Sequence, residues 1–65
     1  MKYKIIAFMK LNEVEFQASL KKAYGTSLVL AGKVVDGKIE TNYDSLINGD
    51  VKIELIAMLK QNDLL

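Results

Sequence analysis

Apolar and polar side chains nearly alternate along residues 2–10, a pattern typical of a β-strand. One face of this strand would carry Tyr3, Ile5, Ala7 and Met9. The other face would carry Lys2, Lys4, Ile6, Phe8 and Lys10. The alternation is imperfect, because Ile6 and Phe8 add apolar groups to the face that holds the lysines.

Residues 13–24 carry signals of two kinds. Their apolar and polar residues alternate, as in a strand that pairs back on the first one across an Asn12-Glu13 turn. Asn12 followed three residues later by Glu15 resembles a helix capping box, and Gly25 suits a helix C-terminus. Because the helix signals are more varied, we predict a helix here and keep the strand as the alternative.

The segments 27–35 and 38–43 are predicted to form a β-hairpin around Asp36-Gly37, a turn that matches the twist of paired strands. This register sets Lys33 opposite Glu40. Val29, Ala31 and Val35 would share one face. A glycine in mid-strand, Gly32, indicates a bulge or a close approach of another group to the backbone.

The C-terminal third of the chain is ambiguous. Residues 44–49 read as a turn, and residues 51–59 fit a strand or a helix about equally, with a slight preference for the strand. Residues 62–65 are expected to fray.

Together these elements predict a single α+β domain over residues 1–65. The predicted order is β-α-β-β followed by a strand or a helix. We expect a mostly antiparallel sheet with one helix packed on one face.

Composition argues against catalysis. The chain has no His and no Cys, which excludes disulfides and the usual His or Cys metal sites. Its acidic residues are scattered and occupy turn or element-end positions, and no glycine-rich phosphate-binding motif occurs. We therefore expect no catalytic residue, no metal and no cofactor.

The segment after Met1 lacks the run of about 7–15 apolar residues of a secretory signal, and no stretch is long enough to cross a membrane. We therefore expect a cytoplasmic protein. All nine basic residues are lysines, and Ile and Asn are frequent, which favours an AT-rich source such as a phage or mobile element.

Hydrophobic residues make up 51% of a chain of only 65 residues, and a chain of this length buries only about 60% of its unfolded surface. We expect one sheet face to stay apolar and exposed unless a C-terminal helix covers it. The predicted interface residues are Ile6, Phe8, Val29 and Ala31. The sequence thus favours a homo-oligomeric accessory module that binds, and thereby inhibits, a partner protein.

Nucleic-acid binding is the alternative. Lys2, Lys4 and Lys10 flank Phe8 on one predicted strand face, and lysines interleaved with an aromatic ring suit phosphate tracking and base stacking. The net charge of only +1 argues against this function, because nucleic-acid affinity depends on uncompensated cations.

Overall fold

The computed structural model describes residues 3–22 and 24–65, which form one antiparallel sheet and one helix. The strands lie in chain order: β1 (Tyr3–Lys10), β2 (Glu15–Lys22), β3 (Ser27–Val35) and β4 (Lys38–Thr41). A 3-10 turn over Asp44–Leu46 leads to helix α1 (Gly49–Gln61). The α+β class is therefore confirmed, and the helix comes last in the chain.

The predicted helix over residues 13–24 is wrong, since this segment contains strand β2. Phe16, Ala18 and Leu20 are buried, whereas Glu15, Gln17 and Lys21 are exposed. A period of two thus describes the burial, and β2 lies between β1 and β3 with partners on both sides. Pairing on both edges outweighs the local helix signals.

Asn12 and Glu15, which suggested a helix cap, instead stabilise the turn between β1 and β2. The backbone amides of Val14 and Glu15 donate to Asn12 Oδ1 at 3.0 and 2.9 Å, and Asn12 Nδ2 donates to Glu15 Oε1 at 2.6 Å. The Leu11 amide donates to the Glu15 carbonyl at 2.9 Å and closes the β1–β2 connection. An Asn side chain bonds nearby amides equally well at a helix start and in a turn, so the motif does not separate the two.

The β3–β4 hairpin is confirmed together with its register. Lys33 pairs with Glu40 and Val35 with Lys38, and Asp36 and Gly37 both have positive φ angles of 52° and 76°. Positive φ at both central residues is the geometry of a type I′ turn. Gly32 lies under Phe16, so the close backbone approach is the correct reading of this glycine: a Cβ there would lie 2.8 Å from Phe16 Cζ and 2.7 Å from the Glu40 carbonyl oxygen.

The slight preference for a strand over residues 51–59 is also wrong. In α1 the buried side chains are Val51, Leu55 and Leu59, spaced four apart, whereas Ile53 is 69% exposed. A strand would have placed Ile53 beside Val51 and Leu55. Only the apolar residues on the side of the helix that faces the sheet are buried.

Residues 62–65 do not fray as predicted. The Leu64 amide donates to the Leu59 carbonyl at 2.8 Å, and the Asp63 amide donates to the Lys60 carbonyl at 3.2 Å. Asp63 has a φ of 60°, and Leu64 is buried against the core. These features form a Schellman motif, in which a hydrophobic residue after the helix packs back onto it.

The core lies between α1 and one face of the sheet. It consists of nine buried residues: Phe16, Ala18, Leu20, Leu30, Val34, Val51, Leu55, Leu59 and Leu64. Within residues 3–22 and 24–65, every buried side chain is hydrophobic. We call the sheet face that meets α1 the inner face and the opposite one the outer face.

Strand β1 contains a bulge. Its register with β2 shifts between Ile5, which pairs with Leu20, and Ala7, which pairs with Ser19. Ile6 is therefore the extra residue, and every residue of β1 after it lies on the face opposite to the one that regular alternation predicts. As a result Phe8, paired with Ala18, lies on the inner face with Ile5.

Candidate interaction surface

The outer face is not covered by α1. Since the buried residues of the helix join the cluster on the inner face, the C-terminal helix does not seal the side that carries Val29 and Val35, which are 52% and 39% exposed. Register places on the outer face Lys4, Ala7, Met9, Glu15, Gln17, Ser19, Lys21, Ser27, Val29, Ala31, Lys33, Val35, Lys38 and Glu40.

The middle of the outer face is uncharged. One cross-strand row consists of Met9, Gln17 and Ala31, and the next consists of Ala7, Ser19 and Val29. Met9 is 59% exposed, and Ile6, at the bulge beside Ala7, is 58% exposed. What distinguishes these side chains from single exposed apolar residues elsewhere is that they are neighbours on one sheet face, and contiguous apolar patches often mark interaction sites.

The structure brings two of the four predicted interface residues together, since the register places Val29 and Ala31 in the two central rows. Ile6 is exposed at the bulge of β1, where it lines the groove beside α1. Phe8 is not with Val29 and Ala31. It is half-buried on the inner face, where its ring stacks on Phe16 with 5.7 Å between ring centroids.

Sequence reasoning missed Ala7 and Met9, which a regular strand would have placed inside with Tyr3 and Ile5. The bulge at Ile6 turns both residues outward. The signal for this bulge is present in the sequence: five successive residues, Ile5 to Met9, are apolar, so strict alternation cannot satisfy all of them.

The two ends of the outer face differ in charge. At one end Lys4 and Lys21 lie directly opposite each other across the β1–β2 pair. At the other end Lys33 lies between Glu15 and Glu40 in one cross-strand row. The first row therefore carries two positive charges and the second a net single negative charge, beyond which Lys38 adds one positive charge opposite Val35.

The lysines predicted for nucleic-acid binding are not gathered on one face around Phe8, because Lys4 lies on the face opposite to it. Lys4 is on the outer face, and Lys10 pairs with Phe16, which places it at the end of β1 on the inner side. Lys2 lies outside the described residues. The aromatic ring that would stack on a base is packed against the core instead.

An open groove of about 870 Å³ lies between β1, β2 and the start of α1. Its charged lining is mixed, with Lys4, Lys21 and Lys22 against Asp50 and Glu54. The Lys22 Nζ lies 5.0 Å from the centroid of the Tyr3 ring, in a cation–π contact. The groove therefore shows no single sign of charge that would select a ligand.

The described residues lack two further features. No group of three or more His, Cys, Asp or Glu residues in ranges 3–22 and 24–65 is placed to hold a metal ion. Over the same ranges, no helix combines the length and apolar character needed to cross a bilayer.

Comparison of the chain with protein-family models, curated proteins and solved structures finds no significant match in any of the three.

Proposed function

We propose that this protein is a non-enzymatic interaction module whose outer face binds protein surfaces, both that of another copy and that of a partner. The observation that carries this proposal is the uncovered sheet face with an uncharged centre, where Met9 and Val29 are each more than half exposed. Such a face gains free energy when another apolar surface covers it.

The chemistry of the face suits a protein more than a small molecule. Its side chains are small or aliphatic and stand on a sheet rather than in a cavity, whereas ligand pockets are concave. Protein interfaces combine an apolar centre with a polar rim, and here lysines and glutamates surround the central rows.

The mechanism that follows is steric. A module without His or Cys acts by occupying a surface, so a partner covered by the outer face loses access to its own ligands. An accessory or inhibitory protein of a phage or mobile element would act in this way. The lysine-rich rim would then select partners with acidic surroundings.

The proposal is tested by the molar mass of the chain in solution, measured by light scattering over a wide concentration range. We expect the mass to rise toward a dimer with increasing concentration. Val29→Asp should weaken self-association at least about hundredfold, because it places an unpaired charge at the centre of the interface.

The matched control is Ile53→Asp. Ile53 is 69% exposed on the side of α1 away from the core, so the same kind of substitution should leave the molar mass unchanged there. A wild-type chain that stays monomeric at the highest concentration contradicts self-association. Equal behaviour of the two variants contradicts the role of the outer face.

Nucleic-acid binding remains the alternative, supported by the grouping of Lys4, Lys21 and Lys22 at one end of the sheet. The inner position of Phe8 and the acids of the same groove weaken that support. Titration with a labelled oligonucleotide at several salt concentrations distinguishes the two: affinity that falls steeply with salt would favour the alternative.

A further inference from the structure

The outward residues of β2 have opposite charges at equal distances from its midpoint. They are Glu15, Gln17, Ser19 and Lys21, so an acid and a base flank two uncharged residues. A strand with this pattern is complementary to itself when a second copy runs over it in the opposite direction.

We propose that the outer face pairs with the outer face of a second copy, related by a twofold axis that lies between the sheets and crosses the strands. This inference deepens the proposed function and rests on it. The axis passes over Ala18, so β2 covers β2 end for end. Lys21 of each copy then lies opposite Glu15 of the other, giving two equivalent ion pairs.

Charge selects this orientation over the other twofold arrangement of the same faces. A twofold axis parallel to the strands would place each end of the outer face on the same end of the second copy. The two basic rows, which hold Lys4 and Lys21, would then meet each other. The crossing axis lays that basic row on the row that carries Glu15, Lys33 and Glu40. On the central strand β2, Lys21 then faces Glu15 of the other copy at both rims.

The basic end also has a local reason to bind an acid. Lys4 and Lys21 are direct cross-strand partners, and like charges in that position destabilise a sheet. Asp50 and Glu54 of the same chain line the groove beside these lysines, and a carboxylate from a second copy adds a negative charge on the outer side that reduces the repulsion further. Glu15 of the second copy reaches this position in the proposed orientation.

The central rows fit the same arrangement by size. The crossing axis places the row of Ala7, Ser19 and Val29 on the row of Met9, Gln17 and Ala31. Each contact along a strand then joins one smaller and one larger residue: Ala7 meets Met9, Ser19 meets Gln17, and Ala31 meets Val29. Alternation of small and large side chains lets two layers interdigitate.

The dimensions agree with a dimer that forms and dissociates readily. Three strands, β1, β2 and β3, run about 4.8 Å apart over the rows from Glu15 to Lys21 and span an area of roughly 300 Å² per copy. This lies below the roughly 800 Å² per partner of a standard interface and indicates a weak, concentration-dependent pair. Stacked sheets lie about 10 Å apart, a gap that Lys and Glu side chains bridge together.

The test is charge reversal, measured by sedimentation equilibrium. Lys21→Glu and Glu15→Lys should each weaken the homodimer about tenfold or more, because each makes the facing pairs like-charged. An equimolar mixture of the two variants should form a heterodimer within about threefold of wild-type affinity, since every facing pair is then opposite. The control Lys52→Glu makes the same charge change on α1 and should alter nothing.

Glu15 also accepts a hydrogen bond from Asn12, so Glu15→Gln serves as a second variant that keeps an acceptor there. It should weaken the dimer by a few fold while circular dichroism stays native. Unchanged dimerisation of Lys21→Glu, or weakened single variants that do not associate when mixed, would overturn this orientation. In both cases the effect of Val29→Asp still reports on the proposed function by itself. A strictly monomeric wild-type chain would overturn both proposals.

Discussion

At Gly32 the chain has no room for a side chain. Phe16 lies across the strand pair from this glycine, so its ring covers the bare backbone. A Cβ would also lie 2.8 Å from Thr41 Cγ2, and the Glu40 carbonyl cannot move without disturbing the β3–β4 ladder. The sequence signalled this position, since a glycine inside a strand needs a packing reason.

We expect Gly32→Ala to lower the free energy of unfolding by about 1–3 kcal/mol, the usual cost of overpacking, although Ala suits a strand better than Gly. Urea denaturation followed by circular dichroism measures the change. Ser27→Ala, at an exposed position of the same strand, should stay within about 0.5 kcal/mol of wild type. A neutral Gly32→Ala would show that Phe16 moves aside at little cost.

Asp63 occupies a position that usually belongs to glycine. Its φ of 60° is in the left-handed region, and its negative charge lies just beyond the C-terminus of α1, where the helix dipole disfavours it. The structure keeps this conformation because Leu64 packs on the core.

Asp63→Gly should therefore raise the free energy of unfolding by about 0.5–1 kcal/mol. Asp63→Asn is the comparison, because it removes the charge and keeps a side chain at positive φ. It should recover only part of the gain. Thermal unfolding of the three proteins gives the order, and a destabilised glycine variant would mean that Asp63 holds the end of the chain through its side chain.

At the scale of elements, local pattern settled the β3–β4 hairpin and failed for β2 and α1. The hairpin depends on neighbours in sequence, and Asp36-Gly37 fixes its register without help from the rest of the chain. The residues of β2 and of α1 each fit the apolar repeat of a strand and that of a helix. Tertiary contacts decide between the two structures, and a single sequence does not state those contacts.

The β1 bulge had the largest effect on the candidate interaction surface. Val29 and Ala31 were assigned to the correct face because β3 is regular. Phe8, Ala7 and Met9 were assigned to the wrong faces because one extra residue reverses every face that follows it. A bulge leaves only a short apolar run as its mark, and that mark does not say which residue is extra.

The bulge predicts an unusual tolerance to deletion. Without Ile6, residues Ile5 and Ala7 become neighbours, and a regular strand reproduces the observed pairing of Ile5 with Leu20 and Ala7 with Ser19. We expect deletion of Ile6 to change the free energy of unfolding by less than about 1 kcal/mol, because every inner side chain keeps its face.

Deletion of Gln17 is the control, since β2 is regular and pairs on both sides. Removing one residue there turns Phe16 to the outer face, and the variant should not fold. Circular dichroism and urea denaturation of both deletions decide the matter. Unfolding caused by the loss of Ile6 would show that the bulge itself holds β1 in place.

At the scale of the whole molecule, one 13-residue helix covers one side of a four-strand sheet. Residues 3–22 and 24–65 contain no second α-helix that could cover the other side. The surplus of apolar residues in the sequence predicted that one sheet face would stay exposed. Which residues form that face could be assigned only from the structure, after the helix was found at the C-terminus.

Proteins with exposed edge strands often polymerise by pairing those strands between molecules. In this sheet neither edge strand, β1 nor β4, is suited to such pairing. On β1 the extra residue at Ile6 interrupts the regular spacing that an added strand would need. On the opposite border β4 is only four residues long, and Asn42 beyond it fills the vacant place: its side-chain oxygen accepts from the Ala31 amide at 3.0 Å. Both borders thereby oppose growth by strand addition, so the face-to-face pair proposed above would stay a closed dimer.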